Sequence, residues 1–405
     1  MKIRSFTGLR PSPEAVASLV SLPYDVVSTE EARALAADNP LSFLRVVRAE
    51  IAFPPDQDPY ADEVYAQAAR QLQWLQEEGH LQREEEPCLY LYRQAIDGHA
   101  QTGVVAVSHV DDYDADRIRK HERTRVAKEN DRTRLAGALR AHAGPVFLTY
   151  RDQPALTALV EEACREMPLY DLTTADGVRH TVWRVPGGEA LVDAFAEVDF
   201  TYVADGHHRA ASAARVARQC REANPDHRGD EDYNYFLTAL FPASELRILP
   251  YNRLIVDARG RSPEELEAAL ATVAALRPAA SPAPARPHDL GVFTGNRWKE
   301  FSLVPDPAAP AAAQLDVSLL QEQVLAPLFG IEDPRTDERV TFVGGIRGTD
   351  YLAEQVRSGK AALAFSLYPV PIDSLLSIAD EGDIMPPKST WFEPKLRSGF
   401  FLHTF

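Results

Sequence analysis

The sequence predicts a mixed α/β or α+β protein built from two domains. The 405 residues exceed what one simple core usually fills. Up to about residue 255, short apolar runs typical of strands alternate with helical stretches. After that point the composition shifts and segments rich in proline and alanine appear. We therefore predict an α/β domain with a mixed sheet over residues 1–255 and a smaller α+β domain over residues 256–405.

The first helices and strands follow from local signals. Residues 13–38 have a helical pattern that breaks at LPYDVVS and resumes at Ser28, where Ser28 and Glu31 form a capping-box pattern. Residues 60–79 have helical periodicity and end at Gly79, a residue typical of helix ends. The apolar runs at residues 88–96 and 101–110 predict two strands.

The remainder of the first domain continues the alternation of strands and helices. Short apolar runs within residues 142–152 and 197–205 predict two further strands. Helical stretches at residues 115–142, 154–166 and 207–224 separate the runs. This order supports a sheet with helices packed on it.

The second domain has fewer elements and longer connections. A helix is expected after Ser262 and another in LDVSLLQEQVLAPLFG, residues 315–330. SPAPARP and DPAAPAAA are typical of loops, because proline interrupts regular structure. Strands are expected within RVTFVGG and KAALAFSLYPV.

Composition and charge exclude several classes of function. The chain is 45% hydrophobic and 25% charged, with a formal net charge of −17. Such an acidic protein repels nucleic-acid phosphates and anionic membrane surfaces, so a small molecule is the expected partner. No secretory signal and no apolar run of about 20 residues is visible. The three cysteines fit neither a disulfide framework nor a metal site, so we expect a cytoplasmic protein.

The stretch TYVADGHHRAASAARVARQC, residues 201–220, carries the strongest chemical signal. A strand is predicted to end at Asp205 and a helix to begin just after it, where unpaired N–H groups and the helix dipole favour phosphate. Gly206 allows a tight turn, Arg209 offers paired donors to phosphate, and His207 and His208 can donate or exchange protons. Asp205 can hold Mg²⁺ or orient a histidine. The alternative is a surface turn capped by Asp205.

A second cluster lies in DRIRKHERTRVAKENDRTRLAGALRAH. In a helix, Glu122 would reach Arg125, and Arg125 would reach Glu129, so a solvated, salt-bridged helix face is one interpretation. The stretch is also basic within an acidic chain and follows a predicted strand. The functional interpretation makes Glu122 a general base and Arg125 and Lys128 partners of phosphate.

Two weaker motifs are also candidates. MPPKSTWFEPKLRSG near the C-terminus contains Lys388, a candidate phosphate ligand, but it is not a P-loop. Its alternative is a segment docked through Trp391 and Phe392. The PYDVV stretch with Tyr24 is expected to be a turn packed against the core.

The motifs carry a resemblance to known proteins. YVADGHHRAASA resembles the DGHHR box of the ParB-like and sulfiredoxin-like superfamily, which includes chromosome-partitioning nucleotidases, sulfiredoxins and free serine kinases. The whole chain is similar to the bacterial and archaeal family called domain of unknown function 1015, through LPYDVVS, NPLSFLRV, KHERT, YVADGHHR, YNYFLTALFP and MPPKSTWFEPKLRSG. Asn252 stands where a histidine is expected in that family's LPYHR stretch.

The resemblance implies a ParB/sulfiredoxin-like nucleotide-binding domain and a function. It implies a phosphotransferase that uses Mg²⁺ and ATP or ADP on a small hydroxylated metabolite, with free L-serine favoured. In that interpretation Asp205 binds the metal, and Asp205 and His208 are catalytic. Glu122 is the third catalytic candidate, although no motif match assigns it that role. The residues expected to bind phosphate are Gly206, His207, Arg209, Arg125, Lys128 and Lys388. The alternatives are a nucleotide hydrolase or nuclease and a non-enzymatic, ParB-like nucleotide switch. The oligomeric state stays open, with a homodimer as one expected form.

Overall fold

A computed structural model describes all residues from 1 to 405. The chain divides into two compact units: unit 1 comprises Met1–Lys120, Thr124–Leu246 and Pro394–Phe405, and unit 2 comprises His121–Arg123 and Arg247–Glu393. This division differs from the predicted domains 1–255 and 256–405. The strand formed by residues 248–255 pairs with strands from later in the chain, so its hydrogen bonds tie it to unit 2.

Unit 1 contains most of the regular structure. Its helices are Val16–Leu19 (α1), Thr29–Leu35 (α2), Leu44–Val47 (α3), Asp62–Glu77 (α4), Val110–Asp114 (α5), Val126–Leu139 (α6), Pro154–Ala163 (α7), Glu189–Ala196 (α8) and His207–Ala223 (α9). Its strands up to residue 246 are Ile3–Arg4 (β1), Leu9–Pro11 (β2), Leu81–Arg83 (β3), Cys88–Ile96 (β4), His99–His109 (β5), Ile118–Arg119 (β6), Ala141–His142 (β7), Val146–Tyr150 (β8), Tyr170–Thr173 (β9), Arg179–Pro186 (β10), Thr201–Asp205 (β11) and Tyr235–Pro242 (β12).

Unit 2 contains shorter helices and a second sheet. Its strands are Ile248–Ile255 (β13), Arg277–Pro278 (β14), Asp289–Phe293 (β15), Trp298–Ser302 (β16), Val340–Gly344 (β17), Leu363–Ser366 (β18) and Thr390–Phe392 (β19). Its helices are Pro263–Ala271 (α10), Asp316–Leu320 (α11), Ala326–Phe329 (α12), Gly348–Arg357 (α13) and Ile372–Asp380 (α14). The last strand of the chain, His403–Thr404 (β20), returns to unit 1 and pairs with β7.

A nine-stranded mixed sheet forms the centre of unit 1, in the order β6-β11-β8-β12-β5-β4-β10-β9, with β1 paired to β5. Strand β8 lies antiparallel to β11 and parallel to β12. Alanines of α9, including Ala210, Ala213 and Ala217, are buried in the same cluster as Leu148 and Val203 of the sheet. Because these side chains are small, the backbone of α9 can pack closely, which fixes its first turn relative to β11.

Several predicted elements are confirmed. Ser28 Oγ accepts from the backbone N–H of Glu31 at 3.1 Å, and the Glu31 carboxylate accepts from the backbone N–H of Ser28, so the capping box forms as expected. The same arrangement at Ser262 begins α10. The expected mixed α/β class with a second α+β unit is also confirmed, since unit 2 has its own antiparallel sheet in the order β14-β16-β15-β18-β13-β17, with β19 paired to β13.

The predicted helix over residues 115–142 is wrong in its first part. Residues 118–119 form β6, which pairs in parallel with β11, and the helix begins only at Val126. Arg125 has extended backbone angles and precedes the first turn. Glu122 is therefore not on a helix, and the helical spacing that would pair Glu122 with Arg125 does not exist. Hydrogen bonds to β11 outweigh the local helical pattern.

The helix predicted over residues 315–330 forms but is not uniform. A π-helical turn, Gln321–Leu325, separates α11 from α12. Pro327 in the first turn of α12 has no N–H to give to a preceding carbonyl, which accounts for the irregular pattern. No helix of the structure combines the length and the apolar character required to cross a bilayer.

Candidate functional site

The DGHHR stretch lies at the turn between β11 and α9. Strand β11 ends at Asp205, Gly206 adopts φ 97° and ψ 31°, and α9 begins at His207. This left-handed conformation is strained for any residue with a Cβ atom. The predicted strand, glycine turn and helix start are therefore found at the expected residues, and the first N–H groups of α9 lie at the end of the strand.

The Asp205 carboxylate is clamped between two cations. Its Oδ2 lies 3.0 Å from Arg209 Nη2 and its Oδ1 lies 3.2 Å from Lys395 Nζ. Burial alone would raise the pKa of Asp205, but Lys395, Arg209 and His207 together lower it to about 2. The carboxylate is therefore ionised at neutral pH, and it lies between two basic side chains.

Hydrogen bonds anchor both Arg209 and Lys395. Arg209 Nη1 donates to the carbonyl of Pro145, and Arg209 Nε is buried and makes no hydrogen bond. The carbonyl of Lys395 accepts from Gln94 Nε2 at 2.9 Å, which ties the C-terminal segment to β4. The side chain of Lys395 is only 10% exposed. Fixed cations beside a helix N-terminus are an arrangement suited to a phosphate or carboxylate.

His208 links the start of α9 to the start of α6. The backbone N–H of Arg125 donates to His208 Nε2 at 3.0 Å, which assigns the ring proton to Nδ1. Arg125 directly precedes α6, a helix of 14 residues, and His208 is in the first turn of α9, a helix of 17 residues. The structure thus brings together two motifs that are about 80 residues apart in the sequence. The positive ends of two helix dipoles lie side by side.

Further polar contacts involve Glu129 in the first turn of α6. Arg215, in the middle of α9, lies 3.8 Å from Glu129, and Thr124 donates to Glu129 at 3.0 Å. Arg125 is exposed, and Lys128 is half-buried with its Nζ 6.0 Å from the centre of the Tyr60 ring. Arg125 and Lys128, both predicted phosphate partners, are therefore accessible cations at the start of α6.

A small cavity of about 50 Å³ lies behind Arg209. Tyr24, Arg132 and His142 line it with Arg209, and burial raises the pKa of Tyr24 and lowers that of His142 to about 3. Tyr24 is buried in the core cluster, as predicted for a packed turn. A cavity of this size holds water molecules rather than a nucleotide, so we do not assign the nucleotide to it.

The other predicted residues belong to unit 2. Glu122 lies in the 121–123 segment and is half-buried, and Lys388 has φ 57° with its Nζ 3.3 Å from the hydroxyl of Tyr251. Their roles at the Asp205 turn stay predictions. Asn252 is buried and its Oδ1 accepts from Leu367 N at 3.1 Å, so this residue ties β13 to the end of β18.

Asp205 does not fit the predicted role of a magnesium ligand. Each of its oxygens faces a cation, and no group of three or more His, Cys, Asp or Glu side chains in the chain could hold a metal ion. A divalent cation at Asp205 would be repelled by Arg209 and Lys395. The arrangement instead supports an orienting role, in which the carboxylate positions the two cations.

Lys395 was not among the predicted site residues. The sequence places it in the basic C-terminal stretch, but no spacing rule connects it to Asp205, 190 residues earlier. Its neighbours in that stretch divide between the units: Trp391 and Phe392 dock in unit 2 by strand β19, whereas Lys395 belongs to unit 1.

Several solved structures are similar to this chain at low sequence identity. SbnI with a C-terminal truncation from Staphylococcus aureus matches at 11% identity and a TM-score of 0.39, covering 73% of this chain and 85% of that chain. Free serine kinase in complex with AMP matches at 10% identity and a TM-score of 0.36, covering 71% and 86%. A conserved hypothetical protein from Pyrococcus furiosus matches at 10% identity and a TM-score of 0.35, covering 73% and 93%.

Sequence comparison gives the family. No curated protein matches the chain significantly. The family described as "Protein of unknown function (DUF1015)" matches residues 3–318, which is more than three quarters of the 405 residues and includes the whole Asp205 turn. The chain belongs to the DUF1015 family.

Proposed function

We propose that the protein is a nucleotide-dependent phosphotransferase acting on a small hydroxylated metabolite. ATP or ADP would be the donor, and free L-serine is the acceptor favoured by the DGHHR resemblance. The observation that carries the proposal is the pair of cations, Arg209 and Lys395, clamped on Asp205 beside the N-termini of α6 and α9. Phosphoryl transfer depends mainly on positioning and on neutralising phosphate charge, which such a cluster supplies.

Each residue has a role in this proposal. The N–H groups at Gly206 and His207 and the side chain of Arg209 would bind phosphate oxygens, with Arg125 and Lys128 extending the positive surface. His208 would donate a proton or hydrogen bond near the transferred group, and Asp205 would keep Arg209 and Lys395 oriented. Glu122 is the proposed general base for the acceptor hydroxyl, and Lys388 a further phosphate ligand.

The proposed reaction also involves Mg²⁺ and a cellular location. Mg²⁺ would accompany the nucleotide phosphates, because Asp205 is already engaged by two cations. We place the reaction in the cytoplasm and leave a homodimer as one form of the protein. A nucleotide hydrolase or nuclease and a nucleotide switch remain the competing functions, and the test below distinguishes them.

The test is a turnover assay with Mg²⁺ that compares ATP, ADP and CTP, with and without L-serine and other small alcohols. We expect acceptor-dependent phosphoryl transfer, and a loss of at least about 10²-fold in kcat for His208→Ala, since that ring bridges the two helix starts. His80→Ala, a histidine packed beside Trp74, serves as the control and should keep full activity.

Three results would contradict the kinase assignment. Turnover that ignores the acceptor would favour the hydrolase. Nucleotide binding without turnover would favour the switch. The absence of both turnover and any nucleotide-dependent shift in Tm would overturn nucleotide binding at the Asp205 turn.

A further inference from the structure

Unit 2 contains a cavity of about 300 Å³ that the proposed function does not use. Its lining includes Arg253 of β13, residues of the π-helical turn Gln321–Leu325, and the pair Pro386 and Pro387. The volume is at the lower end of the range of small-molecule pockets, which is roughly 300–1,000 Å³. Because π-helical turns are frequent at functional sites, the cavity has both the size and the local backbone of a binding site for a small ligand.

Arg253 is a buried cation without an anionic partner. The residue is 4% exposed, and its Nη1 donates to the carbonyls of Tyr251 at 2.8 Å and Asn252 at 3.4 Å. Its Nη2 donates to the carbonyl of Lys388 at 3.1 Å, and the guanidinium lies 4.4 Å from the centre of the Phe342 ring. These neighbours supply only partial negative charge, and no carboxylate forms an ion pair with Arg253. The guanidinium is therefore buried without a counter-charge.

The cavity lies at the guanidinium end of Arg253. Its Nη2 bonds to the carbonyl of Lys388, the residue that directly follows the lining residues Pro386 and Pro387. The three carbonyl bonds occupy Nη1 and one N–H of Nη2, which leaves Nε and the second N–H of Nη2 without an acceptor in the chain. Two neighbouring guanidinium nitrogens are the paired donors that a carboxylate or phosphate accepts.

The missing counter-charge has an energetic consequence. A buried charge is costly unless an opposite charge compensates it. Burial lowers the pKa of Arg253 to about 9, and no acidic side chain opposes that shift. The residue is still charged at neutral pH, so an oxyanion in the cavity would supply both the missing charge and the missing acceptors.

The rest of the lining selects the class of oxyanion. Glu322 and Glu332 are exposed lining residues, and Asp333 is already paired with Arg335 at 2.7 Å. These acidic side chains repel a dianion such as phosphate more strongly than an anion with a single charge. The lining also has apolar residues that suit the carbon atoms of a ligand, namely Val317, Leu325 and Pro334. A small carboxylate fits this combination better than phosphate.

We propose that this cavity binds a small monocarboxylate, whose two oxygens accept from Nε and Nη2 of Arg253. The site does not depend on the nucleotide proposal, because all of its lining residues belong to unit 2 and none of them is assigned to phosphate transfer.

The test is a thermal-shift and calorimetric titration of the full chain with acetate, propionate and glycine at one fixed ionic strength. Propylamine and inorganic phosphate are the cationic and dianionic counterparts. We expect at least one carboxylate to bind and raise Tm, and Arg253→Gln to weaken its binding at least tenfold, because glutamine has neither the charge nor the paired donors. Arg357→Gln is the matched control and should bind like the wild type. Arg357 also lies over a phenylalanine ring, that of Phe293 at 5.0 Å, but it is exposed and outside the cavity.

A second variant covers the case in which Arg253→Gln does not fold. Glu322→Trp, at an exposed position of the cavity lining, should fill the cavity and abolish carboxylate binding while Arg253 keeps its carbonyl bonds. The proposal is overturned if none of the carboxylates binds, if phosphate or propylamine binds as tightly as the best carboxylate, or if the variants that fold bind that carboxylate like the wild type.

Discussion

Replacing Gly206 with alanine is expected to destabilise the protein and to disable the Asp205 turn. At φ 97° an alanine is strained by about 1 kcal/mol. In addition, an added Cβ would lie 3.0 Å from the guanidinium of Arg209. That guanidinium cannot move aside without breaking its bonds to Asp205 and Pro145. We expect a loss of about 2 kcal/mol in the free energy of unfolding, measured in urea, and a loss of nucleotide binding.

Gly229→Ala is the matched control for this prediction. Gly229 has φ 99°, close to that of Gly206, but a Cβ there would meet nothing within 4 Å. The Gly229→Ala variant should lose only the free energy of the backbone strain, about 1 kcal/mol, and should still bind nucleotide. Equal losses of unfolding free energy and equal nucleotide binding in the two variants would contradict this prediction. The contact between the added Cβ and Arg209 would then have no effect.

Replacing Asp205 with asparagine is expected to have the second large effect. The change leaves Lys395, which is 10% exposed, and Arg209, 14% exposed, without their shared anion. Removing one member of such a partly buried cluster should cost about 2 kcal/mol of unfolding free energy. Two uncompensated cations should also repel each other and shift out of position, so nucleotide turnover should fall as well.

The effect of Asp205→Asn on the free energy of unfolding should depend on pH. The pKa of Asp205 is lowered to about 2 in the folded protein, below its value in the unfolded chain. Its stabilisation is therefore complete above the unfolded pKa of about 4 and is lost as the pH falls through the folded pKa. The difference in stability between wild type and Asp205→Asn should shrink over that interval, and urea titrations at a series of pH values measure it.

An exposed ion pair between two helices supplies the control. Asp114 at the end of α5 and Arg218 of α9 lie 3.1 Å apart, with side chains 40% and 51% exposed. Because water screens such a pair, Asp114→Asn should change stability by less than about 1 kcal/mol. An Asp205→Asn variant as mild as this control would contradict the clamped arrangement.

The sequence predicted the Asp205 turn well because its signals are local. A strand ending at Asp205, a glycine able to adopt positive φ, and a helix start at His207 are all encoded within a few neighbouring residues. Capping at Ser28 and Ser262 was predictable for the same reason, since each cap bonds to a residue three positions later.

The features that escaped prediction depend on contacts distant in sequence. Residues before Val126 look helical locally, but pairing of β6 with β11 outweighs that preference. Lys395 approaches Asp205 because the C-terminal segment returns to unit 1, which no spacing pattern reveals. The same holds for the bond between Arg125 and His208, which joins two motifs that were predicted separately.

Calorimetric titration with ADP tests most directly whether Arg209 and its neighbours bind the phosphates of a nucleotide. We would compare wild type, Arg209→Gln and the control Arg218→Gln at one fixed salt concentration. We expect ADP to bind to wild type and to Arg218→Gln, and we expect a loss of at least tenfold in affinity, about 1.4 kcal/mol, for Arg209→Gln. No binding of ADP to wild type, or equal affinity for all three proteins, would contradict it.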